Sequence, residues 1–363
     1  MLVRTSLNVP IQDGVVINQF RLLRGFPTIK YLVAQGARVI VCGHVGKDGD
    51  ISTQSLLPIY EQNFAVVKWS HEVVGAATTN LRDELQDGEI LLLENLRKDP
   101  REKKNDPEFA HALASLAEVY VNDAFPAAHR AHASIVGVPA CLPSYVGHNF
   151  IHEYDMLQRA YAPKSPSLFM LGGAKFDTKM PLVEKFLEIY DHIFIGGALA
   201  NDFFKARGLL VGKSLVSDVD LADSPLLSHP KLLLPVDVIV TGGTTSRITT
   251  PDMVTAEEVI VDAGPATVTM LEPLIKNASS VLWNGPLGNY ESGFEKQTVA
   301  VAKLLATASG ATMVGGGDTV AAIESLGIQN KLTFISTAGG AMLQFLEDKT
   351  LVGIEALRDH PNH

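Results

Sequence analysis

Short, uninterrupted apolar runs alternate with longer stretches of helical period along the whole 363-residue chain. The runs LVRTSLNV, ARVIVCGH, EILLLENL, EVYVNDAF, SLFMLGG, HIFIGG, VDVIVT, SVLWNG, ATMVGGG and LTFIST predict strands. DPEFAHALASLAE, KMPLVEKFLEIY and FEKQTVAVAKLLATA repeat apolar residues every three or four positions and predict helices. Strands that are apolar throughout, rather than alternately, imply a sheet covered on both faces. That is parallel α/β architecture.

The polar residues fall mostly on the C-terminal side of these runs: Ser6 and Asn8, Gly43 and His44, Glu94 to Arg97, Asn122 and Asp123, Gly172 to Lys175, Gly196 and Gly197, Asn284 and Gly285, Gly316 to Asp318, Thr337 and Gly339. Any one cluster is accounted for by turns and helix caps. Nine together point to the edge at which open parallel sheets bind ligands. VPACLPSYVG breaks the pattern, so the chain is expected to divide into a first domain over 1–147, a linking helix over 148–162 and a second domain over 163–340, followed by a C-terminal segment over 341–363.

Composition narrows the function. Hydrophobic residues make up 46% and charged residues 19%, the balance of a globular enzyme, and no apolar run approaches the roughly 18 residues of a membrane span. With Lys+Arg 30 against Asp+Glu 40, the net charge of −10 argues against general nucleic-acid or anionic-membrane binding. The two cysteines, Cys42 and Cys141, form no CxxC, and the N-terminus lacks the layout of a signal peptide, so a cytoplasmic protein is expected.

The halves carry different anion receptors. Arg21, His44, Lys47, Arg97, His129 and Arg130 make the first half basic, suited to a small, multiply charged acid, although each alone is also an ordinary surface charge. The second half is rich in glycine at LGGAK, IGGA, NGPLG, VGGGDT and STAGG, where backbone N–H groups can approach phosphates. Lys175 and Lys179 either reach those phosphates or flank a helix; Asp318 either holds Mg²⁺ through phosphates or caps a helix. GLLVGKS is one residue short of a Walker A loop, GGGDTV lacks a dinucleotide fingerprint, and HRAH has no third metal ligand.

ENLRKDPREKKNDPEFAHALASLAEVYVNDAFPAAHRAHAS, MLGGAKFDTKM, LWNGPLG and GGGDTVAA closely resemble the phosphoglycerate kinase family, in order and over nearly the whole chain; RTSLNVP, FRLLRGFPTI, GHVGK and STAGGAMLQFLEDKTLVG are similar to its other landmarks. The resemblance implies two doubly wound, Rossmann-like parallel-sheet domains facing each other across a hinge cleft, with 341–363 returning toward the first. It implies phosphoryl transfer between 1,3-bisphosphoglycerate and ADP, or from ATP to 3-phosphoglycerate, in a cytoplasmic monomer with no nucleic-acid or membrane partner. Asn8, Arg21, His44, Lys47, Arg97, His129 and Arg130 would bind the acid. Gly173, Lys175, Lys179, Gly197, Asn284, Pro286, Glu291, Gly316, Gly317, Asp318 and Thr319 would serve the nucleotide, with Asp318 the partner of Mg²⁺ and Glu291 a ribose contact. Arg21, Lys175, Lys179 and Gly317 would act on the transferred group.

The chain departs from the family chiefly on the acid side. Ser6 stands where the family has aspartate, Lys47 where it has arginine, and Pro126 and Ala127 where it has glycine and threonine. Elsewhere Ala338 replaces a glycine, Asn289 and Tyr290 replace the common Val-Phe, and the segment between VDVIVTGG and DAGP is shortened. An active enzyme with a weakened acid site is therefore the first reading. A family member that binds nucleotide with weak or no turnover is the second, and a nicotinamide oxidoreductase a distant third.

Overall fold

The computed structural model describes residues 1–360 apart from Lys175, Asp177, Thr178, Asp220, Ala222, Asp223 and Thr244. Two compact units emerge, one of residues 1–155 together with the segment from Asp348 onward, the other of residues 156–347. The division falls inside the helix His148–Gln158.

Each unit is built on a six-stranded, all-parallel sheet. In the first, the order across the sheet is Val67–Trp69, Ile90–Leu92, Val39–Cys42, Leu2–Arg4, Tyr120–Asn122, Ser144–Val146. In the second it is Leu232–Leu233, His192–Ile195, Ser167–Leu171, Ser280–Asn284, Ala311–Gly315, Phe334–Ile335. The reason is in the residues: Val39–Cys42, Ser167–Leu171 and Ser280–Asn284 are buried along their whole length, as strands covered by helices on both faces must be. The helices Pro107–Ala114, Met180–Leu187 and Lys296–Leu305 fall within the three segments of helical period.

In the second sheet the strand order reverses between Ser167–Leu171 and Ser280–Asn284, and such a switch point opens a crevice beyond the carboxyl ends of the two strands. Gly172 and Gly285 are the first residues past those ends. In the first sheet Leu2–Arg4 lies between Val39–Cys42 and Tyr120–Asn122, so Thr5, Gly43 and Asp123 emerge side by side.

Two expectations are corrected. VDVIVT does not join a parallel sheet: Val238–Gly242 is the centre of a separate three-stranded antiparallel sheet with Thr245–Thr249 and Val259–Ala263. Its residues alternate between buried and half-buried, and Gly243, at φ +77°, reverses the chain directly after it. LVRTSLNV is a strand only over Leu2–Arg4; past it Asn8 is engaged with Gly46 and Arg21, and the next strands, Ile11–Gln12 and Val15–Val16, pair only with each other. Among the described residues, no helix is long and apolar enough to cross a membrane.

Candidate active site

In the first unit the loop ends are fixed before any ligand is considered. Asn95, fully buried, donates from Nδ2 to the carbonyls of Val45 (2.7 Å) and Ile51 (2.8 Å) and accepts at Oδ1 from the N–H groups of Val45 and Arg97. One amide thus ties the loop after Val39–Cys42 to the loop after Ile90–Leu92. Arg97 then donates from Nη1 to the Gly46 carbonyl at 2.6 Å, Asn8 accepts the Gly46 N–H at 2.9 Å, and Arg21 donates to the Asn8 carbonyl at 3.1 Å. Arg21, Asn8 and Arg97 are therefore brought together through Gly46.

Beneath them lies Arg4, an arginine with no exposed surface. It donates to the Thr5 carbonyl, to Ser134 Oγ at 3.1 Å and to His44 Nδ1 at 2.8 Å. Ser134 in turn donates from Oγ to Glu102 Oε1 at 2.6 Å and from its N–H to Oε2 at 2.9 Å. His132 Nδ1 stands 3.7 Å from Glu102. Arg130 donates from Nε to His129 Nε2 at 3.2 Å.

The electrostatics favour an anion. Burial, then Arg130 and Arg4, holds Arg97 below the usual guanidinium range, and burial followed by Arg4 does the same to Arg130. Burial first, then neighbouring cations, lowers His129 and His132 to about 4. A small multiply charged acid would relieve that mutual repulsion. Of the residues expected here, Lys47 is the exception: it is exposed, and its carbonyl rather than its ammonium meets Arg97, at 3.2 Å. Ser6 is buried, and Ala127 is buried in the short Phe125–Ala127 turn that Pro126 opens. Arg4 and Glu102 were not singled out from sequence; their signal is an arginine inside an otherwise apolar strand and a glutamate at helical spacing from nothing it touches.

In the second unit the strand ends interlock. The Gly172 N–H bonds the Asn284 carbonyl at 2.8 Å and the Gly173 N–H the Pro286 carbonyl at 2.9 Å. Gly197 (φ +63°) packs so tightly on Gly173 that a Cβ would collide with its backbone, and Gly285 (φ +91°) does the same against Gly172. Only glycine allows three loops to meet there. They rim a cleft of about 280 Å³ walled by Phe204, Leu215, Val261 and Leu287, with Asn289, Tyr290, Glu291 and Asp318 along its edge. A largely apolar cleft bordered by glycine turns suits a nucleotide base leading to its phosphates.

Lys179, nearly buried at the start of the helix Met180–Leu187, donates from Nζ to the Gly172 carbonyl at 2.6 Å, which holds its charge at the glycine turn. Gly316, at φ +96°, is the cap of the helix Gly317–Ser325, and Gly317 has open space where a Cβ would stand. Asp318 sits in that helix's first turn; burial and then Glu291 push its carboxyl up, against the pull of Lys179. Gly173, Gly197, Pro286, Glu291 and Asp318 line the cleft. Asn284 and Thr319 lie buried behind its glycine turns instead, close to Gly316. Lys175 lies outside the described residues. Asp262, in the cleft wall, was not foreseen. Among the described residues no three His, Cys, Asp or Glu side chains could cage a metal unaided. A cation beside Asp318 would share its ligands with phosphate oxygens, as Mg²⁺ commonly does, and a single carboxylate fits that role.

The family model "Phosphoglycerate kinase" matches residues 1–349. Curated relatives named phosphoglycerate kinase include one from Clostridium beijerinckii, 42% identical over 99% of this chain and 96% of its own, and one from Azorhizobium caulinodans, 40% identical with the same coverage. Among solved structures, phosphoglycerate kinase from Coxiella burnetii covers 99% of this chain and 95% of its own at 34% identity with a TM-score of 0.83. The Pyrococcus horikoshii enzyme gives a TM-score of 0.85 at 30% identity, over 98% and 95%.

Proposed function

The chain belongs to the phosphoglycerate kinase family, and from that premise we propose how its residues transfer a phosphoryl group between 1,3-bisphosphoglycerate and ADP, or from ATP to 3-phosphoglycerate. The observation that carries the reading is the presence in one chain of two unlike anion receptors, one of guanidinium and imidazole in the first unit, the other of glycine turns beside an apolar cleft in the second.

Arg21, Asn8, His44, Arg97 and Arg130 bind the acid, with His129 beside Arg130. The acceptor is a carboxylate, ionised at neutral pH, so no general base is required and catalysis reduces to positioning and charge. Gly173, Gly197 and Pro286 cradle the nucleotide, Glu291 meets its ribose, and Lys179 delivers a cation toward the terminal phosphate. Lys175, Asn284, Gly316, Gly317 and Thr319 complete that side of the proposal. Mg²⁺, when bound between Asp318 and the phosphates, supplies charge neutralisation. In-line transfer demands that acid and nucleotide meet with water excluded, so closure of the two units precedes the step. We read the protein as a cytoplasmic monomer, consistent with its unpaired cysteines Cys42 and Cys141.

The test is a coupled assay of ATP-dependent use of 3-phosphoglycerate beside a titration with Mg-ADP. Turnover with saturable dependence on both substrates is expected. Normal Mg-ADP binding without turnover would overturn the catalytic reading in favour of a nucleotide binder.

A further inference from the structure

Asp262 stands in the wall of the cleft, is only 2% exposed, and has no part in the transfer just described. Its two carboxylate oxygens face different elements. Oδ1 accepts the Ala263 N–H at 2.9 Å, at the end of its own strand. Oδ2 accepts the Gln297 N–H at 3.2 Å, and Gln297 is the second residue of the helix Lys296–Leu305. Gly288 presses on the same carboxyl so closely that a Cβ there would overlap Oδ1.

Between strand and helix runs the loop that carries Tyr290 and Glu291. It is held at two further points: the Asn289 N–H donates to the Val261 carbonyl at 2.8 Å, and the Leu287 N–H to Thr298 Oγ1 at 2.9 Å. Thr298 follows Gln297, so the helix start and the strand end grip the loop together. The buried carboxylate is the group that joins strand end to helix start.

We propose that Asp262 is a positioning residue for the nucleotide, fixing the 287–294 loop against the cleft wall so that Glu291 stands at the height of the ribose. The proposal rests on reading the cleft as the nucleotide site. Above about pH 7, where the buried side chain has lost its proton, the carboxylate accepts both N–H bonds, whereas a carboxamide of the same shape turns a donor toward one of them, and a buried unmet N–H is costly. Asp262→Asn should therefore loosen the loop without removing any group that touches substrate.

Steady-state kinetics with Mg-ATP and 3-phosphoglycerate test this. Asp262→Asn should raise the KM for Mg-ATP by about tenfold while kcat and the KM for 3-phosphoglycerate stay within about twofold. Glu291→Ala should also raise the KM for Mg-ATP, and the double variant should be no worse than the worse single, because one change acts through the other. An unmoved KM in Asp262→Asn, or losses that multiply in the double variant, would overturn the proposal. Should Asp262→Asn fail to fold by circular dichroism, Gln297→Pro removes the N–H donor in a first helical turn that accepts proline, and it must show the same KM pattern or the proposal falls. A wild-type chain that binds no ATP, or a Glu291→Ala change without effect, defeats the nucleotide reading itself. Normal behaviour of both with an unmoved Asp262→Asn defeats this inference alone.

Discussion

Arg4 Nη2 and His44 Nδ1 lie 2.8 Å apart, and since a guanidinium only donates, the imidazole is held neutral with its proton on Nε2. The basic cluster of the first unit thereby presents a neutral imidazole at one point and guanidinium charge at others. Burial first, then Arg4, Arg97, Arg130 and His132, pushes His44 far below its ordinary range.

The consequence is a pH-dependent stability. An unfolded histidine takes up a proton near pH 6.5 that folded His44 refuses, so its contribution is complete above that pH and declines as pH falls, by about 1.4 kcal/mol per unit. Asp123 and Asp262, raised to about 7 by burial, have the opposite sign, keeping protons in the fold that the unfolded chain releases. The His44 contribution is therefore read as a difference. Urea unfolding of the wild type and of His44→Asn, which keeps an acceptor for Arg4, should show the variant losing less stability between pH 6.5 and 5; parallel curves would refute this.

Lys179 is expected to act on the phosphoryl group rather than to hold the adenosine. Its ammonium sits on the Gly172 carbonyl at the glycine turn that borders the cleft. Lys179→Ala should lower kcat by on the order of a hundredfold or more, with ADP affinity within a few-fold. A normal kcat with poor ADP binding in isothermal titration would reverse the assignment.

Legibility from sequence tracked burial. Val39–Cys42 and Ser280–Asn284 are covered on both faces, so their apolar runs were unambiguous. The edge strands Val67–Trp69 and Ser144–Val146 are partly exposed, carry no such run and went unforeseen. Val238–Gly242 misled because a short apolar run does not reveal the direction of its partner. The cleft's glycines were visible as motifs. Its wall was not, because Phe204, Val261 and Asp262 are apolar or buried residues on separate elements that only the fold assembles. Arg4 and Glu102 escaped for the same reason: Ser134 joins them from a third segment.

Asp318 is expected to act through Mg²⁺. Its carboxyl, already pushed up by burial and by Glu291, would repel a polyphosphate unless a cation lay between them. Asp318→Ala should weaken Mg-ADP binding much more than metal-free ADP binding. Equal losses in the two titrations would assign the residue to capping the helix Gly317–Ser325 instead.

On the proposed reading, the acid side keeps its charge but loses geometry. Ser6 is buried where the family carries aspartate, and Lys47, exposed, offers a point charge where an arginine would offer a planar fork. Arg21, His44, Arg97 and Arg130 remain; burial and then Arg130 and Arg4 hold Arg97 down, and burial and then Arg4 hold Arg130 down, which an anion would relieve. The share of the attraction that is charge alone falls with ionic strength. The KM for 3-phosphoglycerate should therefore be raised and should climb steeply with added salt. Lys47→Arg restores a bidentate donor and Ser6→Asp the carboxylate that the family carries there, so the pair together should lower that KM by about tenfold, equivalent to about 1.4 kcal/mol. Initial rates at low and high potassium chloride for the wild type and the double reversion decide it. A low KM in the wild type, unmoved by salt and by the reversions, would show that Ser6 and Lys47 lie outside the acid's reach and that Arg21, Arg97 and Arg130 alone set its affinity.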